Sequence, residues 1–410
     1  MSAAARVVVT GMGGVTALGD TWQEVEARLR LRRNAVQRMA DWDRHEMLHT
    51  RLAAPVNHFE AQAHYPRKMT RSMGRVSLLA LRATELALAQ AGLAKDPCIS
   101  DGRMGIAYGS SSGSVEPVRV FGNMLSTGSM QGVTSTSYIQ MMPHTAAVNV
   151  GLYFGLKGRV IPTSSACTSG SQAIGYAYEA IRSGRQSMMI AGGAEELSAP
   201  AAAVFDTLFA TSTKNDAPQS TPRPFDKSRD GLVIVEGAAT LVLEELGHAR
   251  ARGARPLAEV VGFATNSDGV HVTQPDERQQ ARAMGLALAD AGVPSSAIGY
   301  VSAHGTATDR GDVAEARATR QVLGGAVPLS SMKSYIGHTL GACGAIEAWW
   351  TIEMMRAKWF APTLNLQTLD PECEGVDHIA GDGRALDIEY AMKNNFAFGG
   401  INTSLVFRLV

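Results

Sequence analysis

Val160-Ile161-Pro162-Thr163-Ser164-Ser165-Ala166-Cys167-Thr168-Ser169-Gly170-Ser171-Gln172-Ala173-Ile174-Gly175 is the stretch around which the rest of the chain is organised. An apolar run stops at Pro162, small hydroxyl residues follow, then a cysteine, then a helix-like series whose glycines and alanines permit close packing. The pattern predicts strand, tight turn and buried helix, with Cys167 in or near the first helical turn. Unpaired N–H groups and the positive end of the helix dipole meet at such a position. A thiol there is expected to have a lowered pKa, because the dipole favours the thiolate. The competing reading makes Cys167 a small buried hydrophobe, and the remaining sequence has to decide between them.

The totals bound the answer. A chain of 410 residues can bury a large core and suggests two to three domains. Apolar residues make up 45% and charged residues 19%, the profile of a compact protein with much interior. Basic and acidic residues balance at 38 each, so no global charge argues for nucleic acid or an anionic membrane. The four cysteines (Cys98, Cys167, Cys343, Cys373) lie far apart without a CxxC pair, so neither a disulfide framework nor a metal site is indicated. The N-terminus does not read as a signal peptide, and no run approaches the ~20 apolar residues of a membrane span. A soluble, cytoplasmic protein is expected.

Val7-Val8-Val9-Thr10 followed by Gly11-Met12-Gly13-Gly14 reads as a first strand ending in a glycine turn. It touches the dinucleotide fingerprint, but Thr16 stands at the sixth position and no acidic strand end follows, so that reading is discarded. An amphipathic helix is expected over 22–31, and a basic cluster follows at Arg67, Lys68, Arg71 and Arg75. Thr70 to Gly92 has a strong helical period, and 105–109, 187–191 and 237–244 read as strands. The stretch 211–230 is a polar, proline-punctuated loop, and the charged break near 247–256 is a plausible seam.

A repeat gives that seam weight. Leu86-Ala-Leu-Ala-Gln-Ala-Gly92 is echoed by Leu286-Ala-Leu-Ala-Asp-Ala-Gly292, each followed by a strand. Val160 to Ser165 has its counterpart in Val327-Pro-Leu-Ser-Ser331. Three matches in one order support a duplicated α/β unit, split as 1–250 and 251–410, with mostly parallel strands between helical layers.

The second half holds three polar clusters that packing does not explain: Ser302 to Glu315, with His304 at a strand's carboxyl end; Ser331 to Gly344, with Lys333, His338 and Cys343; and Asn394 to Asn402. In a duplicated fold the two strand ends face each other across a pseudo-twofold axis, so Cys167 is expected to meet His304 and His338.

These residues carry a resemblance that runs almost end to end. Ser165-Ala-Cys167-Thr-Ser-Gly, Arg223-Pro-Phe-Asp226 with Arg229-Asp-Gly231, His304-Gly-Thr306-Ala-Thr308 with Gly311-Asp312, Lys333 with Gly337-His338, and Phe398-Gly-Gly400 with Asn402 stand in family order and spacing. The sequence resembles the elongating, Cys-His-His type of β-ketoacyl-[acyl-carrier-protein] synthase, of the thiolase superfamily. The resemblance implies a thiolase-like fold, layered α-β-α-β-α. It implies that Cys167 is the nucleophile, taking an acyl chain from a carrier-protein thioester. Malonyl carrier protein would then lose carbon dioxide, and the enolate would attack the acyl-enzyme. His304 and His338 would donate to the thioester oxygen, each worth about 3 kcal/mol of barrier. The backbone N–H groups of Cys167 and Phe398 would hold the oxyanion, and Phe398 would gate the acyl pocket. Lys333, with Asp312 or Glu315, would be an ion pair setting the field around His304. Thr306 and Thr308 would line the phosphopantetheine tunnel, with Phe396 also binding substrate and Asn402 supporting the loop.

No free cofactor and no metal are implied, since substrates arrive on the phosphopantetheine of acyl carrier protein. Arg67, Lys68, Arg71 and Arg75 are a candidate docking patch for that acidic partner. A homodimer is implied, or a heterodimer with a related ketosynthase-like subunit, with 133–155 expected at the interface and 110–142 in the acyl pocket. Two alternatives are weaker. A thiolase needs a second cysteine as base, for which Cys343 is the candidate, and lacks the His-Gly-Thr histidine; a non-catalytic chain-length subunit generally lacks the nucleophile. Initiating or chalcone-type enzymes carry Asn where this chain has a histidine. Three positions depart from the family pattern: Ala397 for glycine, Ala307 for serine and Leu232 for phenylalanine. Acyl chain length and pathway, whether fatty acid, type II polyketide or aryl polyene, are not legible.

Overall fold

Two sets of five strands follow one plan in this structure, a computed structural model that describes residues 4–410. The first set is β1 (Val7–Thr16), β2 (Met104–Gly109), β3 (Val160–Thr163), β4 (Met188–Glu195) and β5 (Gly237–Glu245). In space they run β3-β2-β4-β5-β1. The β3, β2 and β4 strands are parallel, and β5 is antiparallel to both β4 and β1. The second set is β6 (Ala258–Ser267), β7 (Ile298–Ser302), β8 (Pro328–Ser330), β9 (Tyr390–Ala397) and β10 (Ile401–Leu409). It runs β8-β7-β9-β10-β6 with the same directions. The halves join where Val7 to Val9 pairs antiparallel with Ala258 to Val260, giving one 11-stranded sheet with Asp377–His378 outermost beside β8.

Helices complete the layers. Helix α1 (Arg75–Gln90) covers the outer face of β1 and β5, and α3 (Glu277–Ala291) covers β6 and β10, with α4 (Asp309–Leu323) beside it. Helices α2 (Ser169–Arg182) and α5 (Cys343–Ala357) lie between the halves, packed on each other and on strands of both. Every residue of α5 from Cys343 to Met355 is buried, as a helix enclosed on all sides requires. The expected α-β-α-β-α layering is present. Its central core draws Ile174 and Leu241 from the first half, and Tyr300, Trp350 and Phe407 from the second.

The repeated Ala-Gly segments have a packing cause. A Cβ at Gly11 of β1 would lie 2.3 Å from the Ala87 carbonyl oxygen of α1, and a Cβ at Gly262 of β6 would lie 2.3 Å from that of Ala287 in α3. Each half presses the helix carrying the repeated segment onto its first strand at a glycine. Gly11, Gly13 and Gly14 therefore do not form the expected turn; β1 continues through them to Thr16. The helix expected from Thr70 to Gly92 is broken at Ser72-Met73-Gly74, and a short helix, Arg67–Thr70, precedes it. A Cβ at Gly74 would strike the Ser114 hydroxyl, so the chain makes its close approach there before α1 begins.

Candidate active site

Hydroxyl groups shape the turn before α2. Thr168 Oγ1 donates to the Ser165 carbonyl, Ser169 Oγ donates to the Ala166 carbonyl, and the Ser165 N–H donates to Ser169 Oγ. Ala166 takes a positive φ of 50°, a strained value for a residue with a Cβ. Cys167 follows, in a 3₁₀ turn two residues ahead of Ser169, where α2 begins, and is buried. The expected lowering of its pKa does not hold in the resting site. Burial pushes the thiol up to about 11, while the Lys333 charge and the Phe398 N–H pull it the other way. Removing the thiolate from water outweighs the helix end and the distant ammonium.

The second half brings up both histidines. His338 Nε2 lies 3.0 Å from Cys167 Sγ, and His338 Nδ1 accepts the Leu340 N–H at 3.2 Å. His304 stands edge-on to it, with ring centroids 5.2 Å apart. His304 Nδ1 accepts from Lys333 Nζ and Asn395 Nδ2, each at 3.1 Å. Both Nδ1 atoms face donors, so each neutral ring carries its proton on Nε2. Burial holds both imidazoles well below their ordinary pKa, helped by the Lys333 charge. One nitrogen of each ring and Cys167 Sγ lie within 4.8 Å of one another, a spacing a metal ion could bridge. The chemistry of the set argues against that use, since Nε2–H groups are donors rather than ligands and the nearest charges are ammoniums.

Lys333 is paired, but not with the expected carboxylates. Its Nζ lies 2.5 Å from Glu347 Oε1, and Lys393 Nζ lies 2.6 Å from Glu347 Oε2. All three side chains are at most 2% exposed. Burial works to lower the Lys333 pKa, yet Glu347 outweighs it and the pKa is raised. Glu315 instead accepts the backbone N–H groups of His304 and Gly305, each at 2.7 Å. Asp312 takes the N–H groups of Phe225 and Ala307, with Arg229 3.8 Å away. These two carboxylates sit at the N-terminal end of α4 and shape the loop that carries His304. Burial pushes Glu315 up to about 7 and Asp312 up to about 6.

Cys167, His304 and His338 open into a cavity of about 460 Å³ that Thr306, Thr308, Phe396, Phe398 and Asn402 also line. The two threonine hydroxyls are 2.8 Å apart. The Phe398 ring packs on Phe205, with centroids 5.0 Å apart, and Gly399 and Gly400 take positive φ just after it. Asn402 Nδ2 donates to Asn266 and Asp268, which ties the Phe398 turn to the end of β6 and the residue just past it. The Cys343 thiol donates to the Cys167 carbonyl at 3.2 Å, and burial raises its pKa, so it is a packed thiol rather than a base.

Two groups of expected residues stand apart from the cavity. None of 110–142 lines it; that stretch carries two helices on which Leu125 and Tyr138 are exposed, with Met130 exposed in the loop between them. Arg67, Lys68 and Arg71 are exposed and also do not line it, and Arg75 is committed to an ion pair with Glu236 at 2.8 Å. Sequence reading missed Glu347, Lys393 and Asn395. The available signals were a glutamate inside the apolar run Ala345-Ile-Glu-Ala-Trp-Trp350 and a lysine inside strand β9.

Comparison with known proteins agrees with this geometry. Residues 4–249 match the Beta-ketoacyl synthase N-terminal domain family, and residues 257–367 match the Beta-ketoacyl synthase C-terminal domain family. The chain is 39% identical to 3-oxoacyl-[acyl-carrier-protein] synthase 2 of Vibrio cholerae, over 98% of this chain and 99% of that protein. A solved β-ketoacyl synthase from Burkholderia phymatum is 68% identical and superposes with a TM-score of 0.98, covering 99% of this chain and all of that one. A type II polyketide ketosynthase, solved in complex with its acyl-carrier protein, is 31% identical with a TM-score of 0.88, covering 99% of this chain and all of that one.

Proposed function

The chain belongs to the β-ketoacyl synthase family and is an acyltransferase of its elongating 3-oxoacyl-[acyl-carrier-protein] synthase class, and from that premise we propose how its residues divide the reaction. The Cys167 thiol gives up its proton as Sγ attacks the acyl carrier-protein thioester, the carrier sulfur leaves as a thiolate and takes up that proton, and the acyl chain stays on Sγ. The backbone N–H groups of Cys167 and Phe398 hold the oxyanion of each tetrahedral intermediate. Malonyl carrier protein then enters. Its carbon–carbon bond to the carboxylate breaks, carbon dioxide departs, and the electron pair moves onto the thioester oxygen as an enolate. His304 and His338 donate to that oxygen through Nε2–H. The enolate carbon attacks the Cys167 thioester and expels the thiolate, leaving β-ketoacyl carrier protein.

The observation that carries this reading is the pair of buried histidines, each with Nδ1 facing a donor, opening with Cys167 into one cavity. Neutral donors stabilise developing negative charge without first giving up a proton. Lys333 holds His304 in place and does not act as a base. Thr306, Thr308 and Phe396 bind the pantetheine arm, and Phe398 swings from Phe205 to admit the acyl chain. No free cofactor takes part in these steps.

Acyl carrier protein docks on Arg67, Lys68 and Arg71, an exposed basic group on and just after a short helix. The working form is a homodimer. The unpaired edge of β3, where Val160 is 47% exposed, and the exposed Leu152 within the 133–155 stretch support it. The two catalytic halves divide near 250/251, a seam supported by their identical strand order.

Purified protein with malonyl carrier protein and a panel of acyl carrier proteins, read by mass spectrometry, tests the reading and gives the chain length. Condensation is expected with the native protein and not with Cys167→Ala. Condensation that survives Cys167→Ala overturns the proposal.

A further inference from the structure

Lys393 has no part in the steps above, yet it is wholly buried at the back of the site. Its ammonium has three protons and three acceptors: Glu347 Oε2, the Asn394 carbonyl and Asn395 Oδ1. Ser171 Oγ also donates to Asn395 Oδ1. With its oxygen taken from that side, the Asn395 amide turns Nδ2 toward His304 Nδ1, Glu347 Oε2 and Cys343 Sγ, at 3.1, 3.2 and 3.3 Å. Glu347 is thus shared by two lysines, one on each oxygen.

Charge counting gives the consequence. Lys333 and Glu347 alone sum to zero; burial lowers the Lys393 pKa while Glu347 at 2.6 Å supports its ammonium, and that charge leaves the three-residue cluster one positive charge in excess. His304 faces Lys333 from the turn after β8, Lys393 and Asn395 from β9, and Glu347 and Cys343 from α5. His338 and Cys167 stand across the cavity, while Glu315 from α4, with Asp312 near it, grips the His304 backbone. We propose that Lys393 is a positioning residue for the condensation: its uncompensated charge and its hold on Asn395 keep His304 and His338 as neutral Nε2–H donors toward the substrate. Burial is the first cause that works against imidazolium formation at both rings, and the Lys333 and then the Lys393 charge add to it. The reaction named here rests on the function proposed above; the ring protonation does not.

Full-length protein labelled with ¹⁵N-histidine, titrated by NMR, tests this directly, with His304 assigned by its loss in His304→Ala. In the native protein His304 is expected to remain a neutral Nε2–H tautomer through mildly acidic pH. Lys393→Gln keeps donors for Asn395 and Glu347 but removes the charge. Its His304 midpoint, and the acid limb of malonyl decarboxylation, are expected to move up by about one pH unit. Adding Glu347→Gln restores the single positive charge of Lys333, so the double variant is expected to return toward the native profile. An unchanged profile in Lys393→Gln, or a shift that the double variant does not reverse, overturns the proposal. Lys393→Met carries the same test if Lys393→Gln does not fold. A native His304 that protonates at or above the ordinary histidine range overturns it with no variant at all. A native protein that titrates as expected but does not decarboxylate malonyl carrier protein counts against the proposed function instead.

Discussion

Replacing His304 with alanine separates the two half-reactions. Of the two rings only His338 is within hydrogen-bond distance of Cys167, the proposed nucleophile, with Nε2 3.0 Å from Sγ. His304 points its other nitrogen at Lys333 and Asn395, both 3.1 Å away, and so offers a fixed Nε2–H to the cavity. Its loss removes one of two preorganised donors to the enolate oxygen, about 3 kcal/mol, or roughly 150-fold in rate. Transfer of the acyl chain to Cys167 uses the backbone N–H groups instead and is expected to change little. Decarboxylation is read as ¹⁴CO₂ released from labelled malonyl carrier protein. Acylation is read as the mass added to Cys167 after a rapid quench. The expected result for His304→Ala is a loss of about two orders of magnitude in the first assay and near-native behaviour in the second. For His338→Ala both assays fall. Equal losses in both assays for His304→Ala would refute the division of labour.

Four further outcomes follow from particular residues. Since burial pushes the Cys167 thiol up to about 11, its alkylation by iodoacetamide should climb steadily from about pH 7 to about pH 10 as the thiolate fraction grows; a plateau near neutrality would show a thiol already ionised. Gly11→Ala and Gly262→Ala each place a Cβ 2.3 Å from a helix carbonyl oxygen, and each should cost about 1–3 kcal/mol in chemical denaturation. Gly285→Ala, in open space within α3, should gain about 0.5–1 kcal/mol in the same measurement. Reversing charge at Lys68 and Arg71 should raise KM for the carrier protein and leave kcat nearly intact; steady-state kinetics that show no change would remove this surface from consideration.

The strand, hydroxyl turn and small-residue helix around Cys167 were legible from order and spacing, as were both histidines and Lys333, because each lies in a short motif whose turn chemistry is local. The echo of Leu86 to Gly92 in Leu286 to Gly292 exposed the duplication, since both segments meet the same steric demand from a strand glycine. Other features are decided only when distant segments are brought together. Glu347, fourteen residues beyond Lys333, becomes its counter-ion because α5 runs between the halves, while Glu315 turns toward backbone amides of the His304 loop and Asp312 toward those of Ala307 and the distant Phe225. The Cys167 pKa depends on how completely water is excluded, a tertiary quantity that reverses the effect expected from its place before a helix. The histidine tautomers depend on Asn395, Lys333 and the Leu340 amide, which reach the rings from β9, the turn after β8 and the start of the next turn. Motifs point out the candidate reacting groups, and packing sets their protonation and partners, because burial and long-range charge are not properties of neighbouring residues.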